Sequence, residues 1–515
     1  MKQPLRTLRD GARIRERVAV VAGQSERTIL LGTVLLASAV TVGTGFVLAH
    51  YLSVDVLTSL IVFLPNDCYL DWPTRVGSHC FSDYSITVSI GMVPNPWDPF
   101  PLYLPPDFKP THFNYTAAGM LPQVFFGHLG AWLGAPRLGL LGYLFALTIA
   151  LFTPAVWAAR GARGLECVVV FVACGVAAVP LWVALDRGNS IGFIAPVGLV
   201  FLVALSRQRW GLVAIAVVLA ALVKPQFVVL VVALFAARQW RAGSIAIAGV
   251  VLSNLAAYVL WPRDFPHTIM QSIHNTVAYG GASQAAAEGS NASLGKAILA
   301  IPDGIKAQLS GGKIPEGFLA ETRSLIGYVL LLVVVVVVVA LGRRIPPVMA
   351  GIVLLATASL FPALSNPYYL VFVLPVAAVV VRDPDGPPGR GILDRREAGC
   401  DGRRVVGVCV SIAVALSIGQ IPLPTETRRV VQSGTNVALI LVDSTMSLAP
   451  VLWLAALASI LVSYSRRPSS LGADQEAEDN AVVDAGAAAR HASDRPIAVD
   501  PGAQLRSRGC ADEHP

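Results

Sequence analysis

The chain has 515 residues, of which 55% are hydrophobic and only 14% charged, with a formal net charge of +7. Soluble domains carry about a quarter charged residues, so a soluble enzyme is excluded, as is disorder over most of the length. Seven cysteines in so long a chain exclude a small disulfide-built module, and a polytopic membrane protein remains.

The basic residues sit in small clusters between apolar runs. That is the pattern of cytoplasmic loops, not of a nucleic-acid surface. Residues 1–27 are polar and basic, with Lys2, Arg6, Arg9, Arg13, Arg15, Arg17 and Arg27. The run Thr28–Tyr51 is long enough to cross a hydrocarbon core of about 30 Å. It lacks the short apolar stretch and cleavage motif of a signal peptide, so it predicts an uncleaved anchor with the N-terminus inside.

A long non-spanning stretch follows over 52–113, rich in Pro, Asp and aromatic residues. Loops of this length are usually functional. Tyr115–Leu133 is apolar but interrupted by Pro122 and His128, which predicts a re-entrant or interfacial segment. Apolar runs then cover 138–158, 165–184, 191–206, 210–223, 225–237 and 243–261. A second polar loop occupies 262–322. Further runs cover 324–341, 346–362, 367–381, 405–420 and 436–464, and the polar residues 466–515 predict a disordered cytoplasmic tail.

Arginine pairs set the predicted topology. Arg160/Arg163, Arg207/Arg209, Arg238/Arg241, Arg343/Arg344, the cluster Arg382–Arg404 and Arg466/Arg467 all fall on one side only if two conditions hold. The segment 115–133 must not cross fully, and the chain must turn at Lys224-Pro225. The rival reading of 210–237, one kinked helix, would place Lys224 in mid-membrane at a cost of about 2.5–3.5 kcal/mol. The turn predicts about twelve spans with both termini inside. Five segments then share the outer face: 52–137, 186–190, 224–226, 262–322 and 365–369.

Chemistry-bearing residues are few. Gly289–Lys296 has the wrong glycine spacing for a phosphate loop, and Ala297 replaces the required hydroxyl. There is no HExxH or CxxC, so no metal ligand set is assigned. Cys68 and Cys80 share the first outer loop, where an oxidising exterior would let them pair; two free thiols is the other reading. Asp83, in Phe81-Ser82-Asp83-Tyr84, is a candidate general base if an apolar setting raises its pKa. A solvated or helix-capping aspartate is the plainer reading, and Asp55, Asp67, Asp71, Asp98 and Asp107 compete for the role. Asp186-Arg187-Gly188-Asn189 reads as a local turn or as a polar patch against a lipid phosphate. Lys224-Pro225-Gln226 reads as a snorkelling lysine or a phosphate ligand. His79, His274 and Asn275 are further candidates.

Taken in order, these pieces resemble the polyprenyl-phosphate-dependent glycosyltransferases of family 87, within the GT-C superfamily. The resemblance rests on the anchor span, Asp83-Tyr84 in a long first loop, and the stretch Asn114–Pro122. It continues through Gly188-Asn189, Lys224-Pro225-Gln226, Arg238-Gln239-Trp240-Arg241, Asn291-Ala-Ser-Leu294 and Pro362–Pro375, and covers about 28–465. Family members often carry histidines in the late turn, whereas this chain has Ser365-Asn366-Pro367-Tyr368-Tyr369.

The resemblance implies an all-α GT-C-like membrane bundle that moves a sugar, with inversion, from a polyprenyl phosphate to an envelope glycan or glycolipid. The sugar is mannose, or arabinofuranose in some members, and the reaction takes place on the outer face of the cytoplasmic membrane. Asp83 matches the position of the base. Tyr84, Arg187, Asn189, Lys224, Gln226, His274 and Asn291 are the expected substrate contacts. No cofactor is implied beyond the lipid-linked donor, and a metal requirement is left open. Two rival expectations are a transporter or lipid flippase and a non-catalytic membrane subunit. The unlike halves and the one-sided polar residues weigh against a transporter.

Overall fold

A computed structural model describes residues 24–52, 81–103, 110–282, 291–311, 314–315, 318–394, 402–432 and 435–466. The candidate disulfide Cys68–Cys80, His79, Asp55, Asp67, Asp71, Asp107, the basic N-terminus up to residue 23 and the polar tail from 467 lie outside those residues.

The chain is overwhelmingly helical. Helix α1 (Glu26–Leu52) starts at Ser25, whose hydroxyl accepts from the Thr28 N–H at 3.2 Å. The first loop re-enters as α2 (Ser82–Gly91) and a short hairpin, β1 (Phe100–Tyr103) with β2 (Pro110–Thr111). Helix α3 (Ala117–Trp132) begins at Thr116, whose side chain accepts from Gly119 N–H. At 16 residues it is about 24 Å long, short of a full crossing.

Next come α4 (Pro136–Ala159), α5 (Leu165–Phe171) and α6 (Val179–Arg187). The run expected as one span at 165–184 is bent by 47° between Val176 and Val179. A π-turn over Val172–Val176 and the proline at Pro180 give the physical cause. The Trp182 indole N–H donates to the Val176 carbonyl at 2.7 Å, satisfying a group at the break.

Helix α7 (Ile194–Ser206) follows a single-turn 3-10 segment, and α8 (Trp210–Val223) ends at Lys224. Lys224 is extended, at φ −147 and ψ 123, as residues before proline prefer. The 3-10 segment Pro225–Val231 and α9 (Val232–Ala236) then run back alongside α8, so the chain reverses at Lys224 and does not continue as one kinked helix.

Helices α10 (Trp240–Tyr258), α11 (His267–Ala282), α12 (Leu294–Ile298) and α13 (Ala300–Leu309) complete the second loop region. The last part comprises α14 (Ala320–Leu341), α15 (Pro347–Leu360), α16 (Val373–Val381) and α17 (Gly402–Ile418). It closes with the hairpin β3 (Pro422–Gln432) and β4 (Thr435–Ser444), and α18 (Ala449–Ser465).

Two expectations change here. The apolar run 436–464 divides into a strand and a helix. Its first third carries the β-branched residues Val437, Ile440 and Val442 and pairs antiparallel with 422–432, in the register Pro422↔Ser444 to Gln432↔Thr435. The number of spans is also smaller when length is required of each helix. Among the described residues five helices are long and apolar enough to cross a membrane, or six if the bent pair counts as one. The other six apolar helices are 10–17 residues long.

The bundle has two chemically different ends. At one, the arginine-bearing turns meet. Arg207 donates to Asp385 at 2.8 Å, Arg382 to the Trp157 carbonyl at 2.6 Å, Arg27 to the Gly389 carbonyl at 3.0 Å and Arg404 to the Gln24 carbonyl at 2.8 Å. Between the ends, α15 and α16 form the centre and are almost wholly buried. The few hydroxyls there bond back along their own helix, Thr357 to Val353 O at 2.8 Å and Ser359 to Leu355 O at 3.0 Å, which removes the cost of unpaired polar groups. Helix α14 seats against this centre at Gly327, where a Cβ would collide with the Phe361 carbonyl.

Candidate functional site

The other end gathers the polar residues. Phe81 takes a left-handed conformation, φ 47, and turns the chain into α2, so that Asp83 lies in the first turn, where the helix dipole favours a carboxylate. Helix α6 stops at Gly188, φ 63, and Asn189 then caps the next turn by accepting from Ile191 N–H at 2.9 Å. A Cβ on Gly188 would lie 2.8 Å from Tyr84 Cβ. Only glycine therefore lets α2 approach the end of α6. The Tyr143 hydroxyl donates to the Gly188 carbonyl at 3.0 Å and fixes the turn from below.

That approach joins four predicted residues. Arg187 holds Asp83 with two N–H groups, Nη2 to Oδ1 at 2.8 Å and Nε to Oδ2 at 3.3 Å. The Asn189 amide donates to the second carboxylate oxygen at 2.7 Å and lies 3.1 Å from the Tyr115 hydroxyl. The Lys224 ammonium rests on the face of the Tyr115 ring, 3.5 Å from its centroid, a favourable cation–π position. The Asp83 and Arg187 side chains keep 12% and 14% of their surface exposed, so the pair is sheltered but reachable.

Electrostatics follows from this shelter. Burial pushes the Asp83 carboxyl up to about 6, against the opposing effects of the Asn189 hydrogen bond and the Lys224 charge. Burial pushes the Lys224 ammonium down, and the Asp83 charge pulls it back up. Tyr115 is pushed up by burial first, then by Asp83 and by its neighbours Tyr368 and Tyr369.

The remaining predicted contacts have other jobs. Tyr84 is a core residue, its ring 4.9 Å from that of Tyr143; one helical step from Asp83, about 100° of rotation, turns it away from the site. Gln226 donates to the Ala358 carbonyl at 3.0 Å and ties the turn after Lys224 to α15. Asn291 is fully buried and bonded to backbone. Its amide donates to Ala363 O at 2.8 Å and its oxygen accepts from Ser293 N–H at 2.9 Å and Ser365 N–H at 3.0 Å. It clips the second loop to the late turn. His274 is exposed on α11; the residue of that pair facing inward is Asn275, which donates to the Trp97 and Phe113 carbonyls at 3.1 and 3.2 Å.

Asp98 accepts from Asn95 and Gln271 at 3.1 and 3.2 Å, an amide network that braces the first loop against α11. Tyr115 is the residue sequence reasoning missed, since it was absorbed into the start of an apolar run. The Trp97 indole donates to its carbonyl at 2.9 Å, so the aromatic cluster of the first loop holds it in place. Among the described residues no three His, Cys, Asp or Glu side chains converge as metal ligands.

No protein-family model matches the chain, and neither does any curated protein or solved structure. A carboxylate with a raised pKa, two cations and a tyrosine at one end of an apolar bundle can accept a proton and hold an anion side by side.

Gly188→Ala tests the scaffold. It forces a left-handed alanine and a clash with Tyr84, and should destabilise the protein by about 1–3 kcal/mol. Thermal unfolding of the purified protein in detergent checks this; an unchanged midpoint would mean the α2–α6 approach does not depend on glycine.

Proposed function

We propose that the chain is an inverting glycosyltransferase of the GT-C type that uses a polyprenyl-phosphate sugar and acts on the outer face of the cytoplasmic membrane. In this reading about twelve segments cross the bilayer, bent and short helices included, and both termini are inside. The polar end of the bundle faces out, toward an envelope glycan or glycolipid acceptor. Mannose is the first sugar to test and arabinofuranose the second. The observation that carries the reading is the contact of Asp83 with Arg187 and Asn189 beside Lys224 on Tyr115.

The chemistry needs no nucleotide, because the donor's phosphodiester already holds the energy. The acceptor hydroxyl gives its proton to Asp83 while its oxygen attacks the anomeric carbon. The bond from that carbon to the phosphate oxygen breaks, and polyprenyl phosphate leaves with one more negative charge. In this reading Lys224 and Arg187 meet that growing charge, and such preplaced cations favour the transition state over the ground state. Arg187 holds Asp83 when no donor is bound. An arriving phosphate would compete for the guanidinium, whose planar fork matches phosphate as well as carboxylate, and would free the carboxylate to act as base.

The test is Asp83→Asn in membranes supplied with labelled polyprenyl-phosphate mannose and, separately, the arabinofuranosyl donor, with native envelope acceptors present. Transfer should fall by about 10²–10⁴-fold, the usual worth of a general base, with the folded yield unchanged. Transfer at the wild-type rate would overturn Asp83 as the base. No transfer from either donor by the wild-type chain would overturn the assignment.

A further inference from the structure

Helix α13 is amphipathic the wrong way round for a helix in water. Ile301, Ile305 and Leu309 recur every four residues and form one stripe. Their exposures are 76%, 55% and 79%. The opposite face carries Asp303, which is buried and bonded to Arg323 in the first turn of α14, Nη1 to Oδ2 at 3.0 Å. Lys306 also turns toward protein, over the Phe318 ring. Charge points in and isoleucine points out, so the medium outside this helix must be less polar than the protein behind it.

Position says what that medium is. The Asp303–Arg323 pair fixes α13 at the level of the first turn of α14, the most apolar of the candidate spans. The outward residues of α14 begin immediately beyond that turn, with Leu325, Tyr328 and Leu332 all more than half exposed. The α13 stripe is thus continuous with a surface that a bilayer covers. At 10 residues, about 15 Å, the helix is too short to cross. A short helix with one strongly apolar outward face lies in the interface.

We infer that α13 is an interfacial helix whose Ile301–Ile305–Leu309 face is immersed in membrane lipid, so the second loop is seated in the bilayer and does not stand free in water. The inference does not depend on the transferase reading and survives its failure.

The experiment places a photoreactive benzoylphenylalanine at Ile305, and separately at Leu309, in the full-length protein. The protein is reconstituted in vesicles of phosphatidylethanolamine and phosphatidylglycerol, irradiated, and weighed intact. Both positions are exposed, so the probe replaces no packed side chain. The expected result is a protein mass increased by one phospholipid at both positions, lost when the same protein is irradiated in detergent. A covalent dimer would overturn the inference in favour of a second copy of the chain. Unmodified protein at both positions would overturn it in favour of water.

Discussion

Lys224→Met is expected to lower sugar transfer by about 10²–10³-fold, the loss seen when a preplaced charge partner of a transition state is removed. The substitution suits the site because the ammonium sits on the Tyr115 ring, and a thioether also packs well against an aromatic face. Folding should therefore survive. The fall should appear in kcat more than in KM, since the phosphate gains its extra charge only as the sugar leaves. Lys224→Arg should recover part of the rate.

The pH profile gives a sharper readout. Asp83 must be ionised to take a proton, and its carboxyl is pushed up to about 6, so wild-type transfer should rise with pH through about 6. It should fall again at higher pH, because burial pushes the Lys224 ammonium down to about 7 and its charge is then lost. The Lys224 charge opposes that upward push. Removing it lets the Asp83 pKa rise further, so the acid limb of the Lys224→Met profile should move to higher pH. An acid limb that stays in place would show that Lys224 and Asp83 do not act on one another in the working enzyme.

How far the sequence could reach is visible in the same residues. Asp83, Arg187, Asn189 and Lys224 stand out because a polar residue at the end of an apolar run has few structural reasons to be there. Their meeting is non-local: Asp83 and Lys224 are far apart in the chain, and a single glycine at 188 decides whether α2 comes close. Tyr84 was misread by adjacency, since neighbouring residues on a helix point in different directions. Asn291 was misread because a buried amide that satisfies three backbone groups looks, in sequence, like one kept for a ligand. Helix number suffered from another blind spot. A span apolar on all sides has no periodic signal, so a run such as 436–464 does not reveal that its first part is a strand. The inverted polarity of α13 was hidden for the opposite reason: its charges and isoleucines average to a polar loop, and only burial shows which side each faces.

Arg323→Met is the variant expected to damage stability most. Arg323 is wholly buried and Asp303 nearly so, and the two are bonded through both guanidinium Nη atoms. Removing the arginine leaves a buried carboxylate without its partner, which costs about 3–5 kcal/mol. The pair anchors α13 to α14, and the preceding helix α12 lies so close to the same turn that a Cβ on Gly295 would sit 2.7 Å from the Arg323 carbonyl, so relaxation is limited. The double variant Arg323→Met with Asp303→Leu removes both charges and should recover most of the loss, because a hydrophobic replacement of similar volume is often neutral or better. The Arg323 Nε atom, buried without a hydrogen-bond partner, tilts the balance further toward recovery. Denaturation of the wild type, the single and the double variants in one detergent checks the pattern. A single variant as stable as the wild type would mean that the ion pair does not hold the second loop to α14. A double variant no better than the single would mean that charge pairing does more here than offset its own burial.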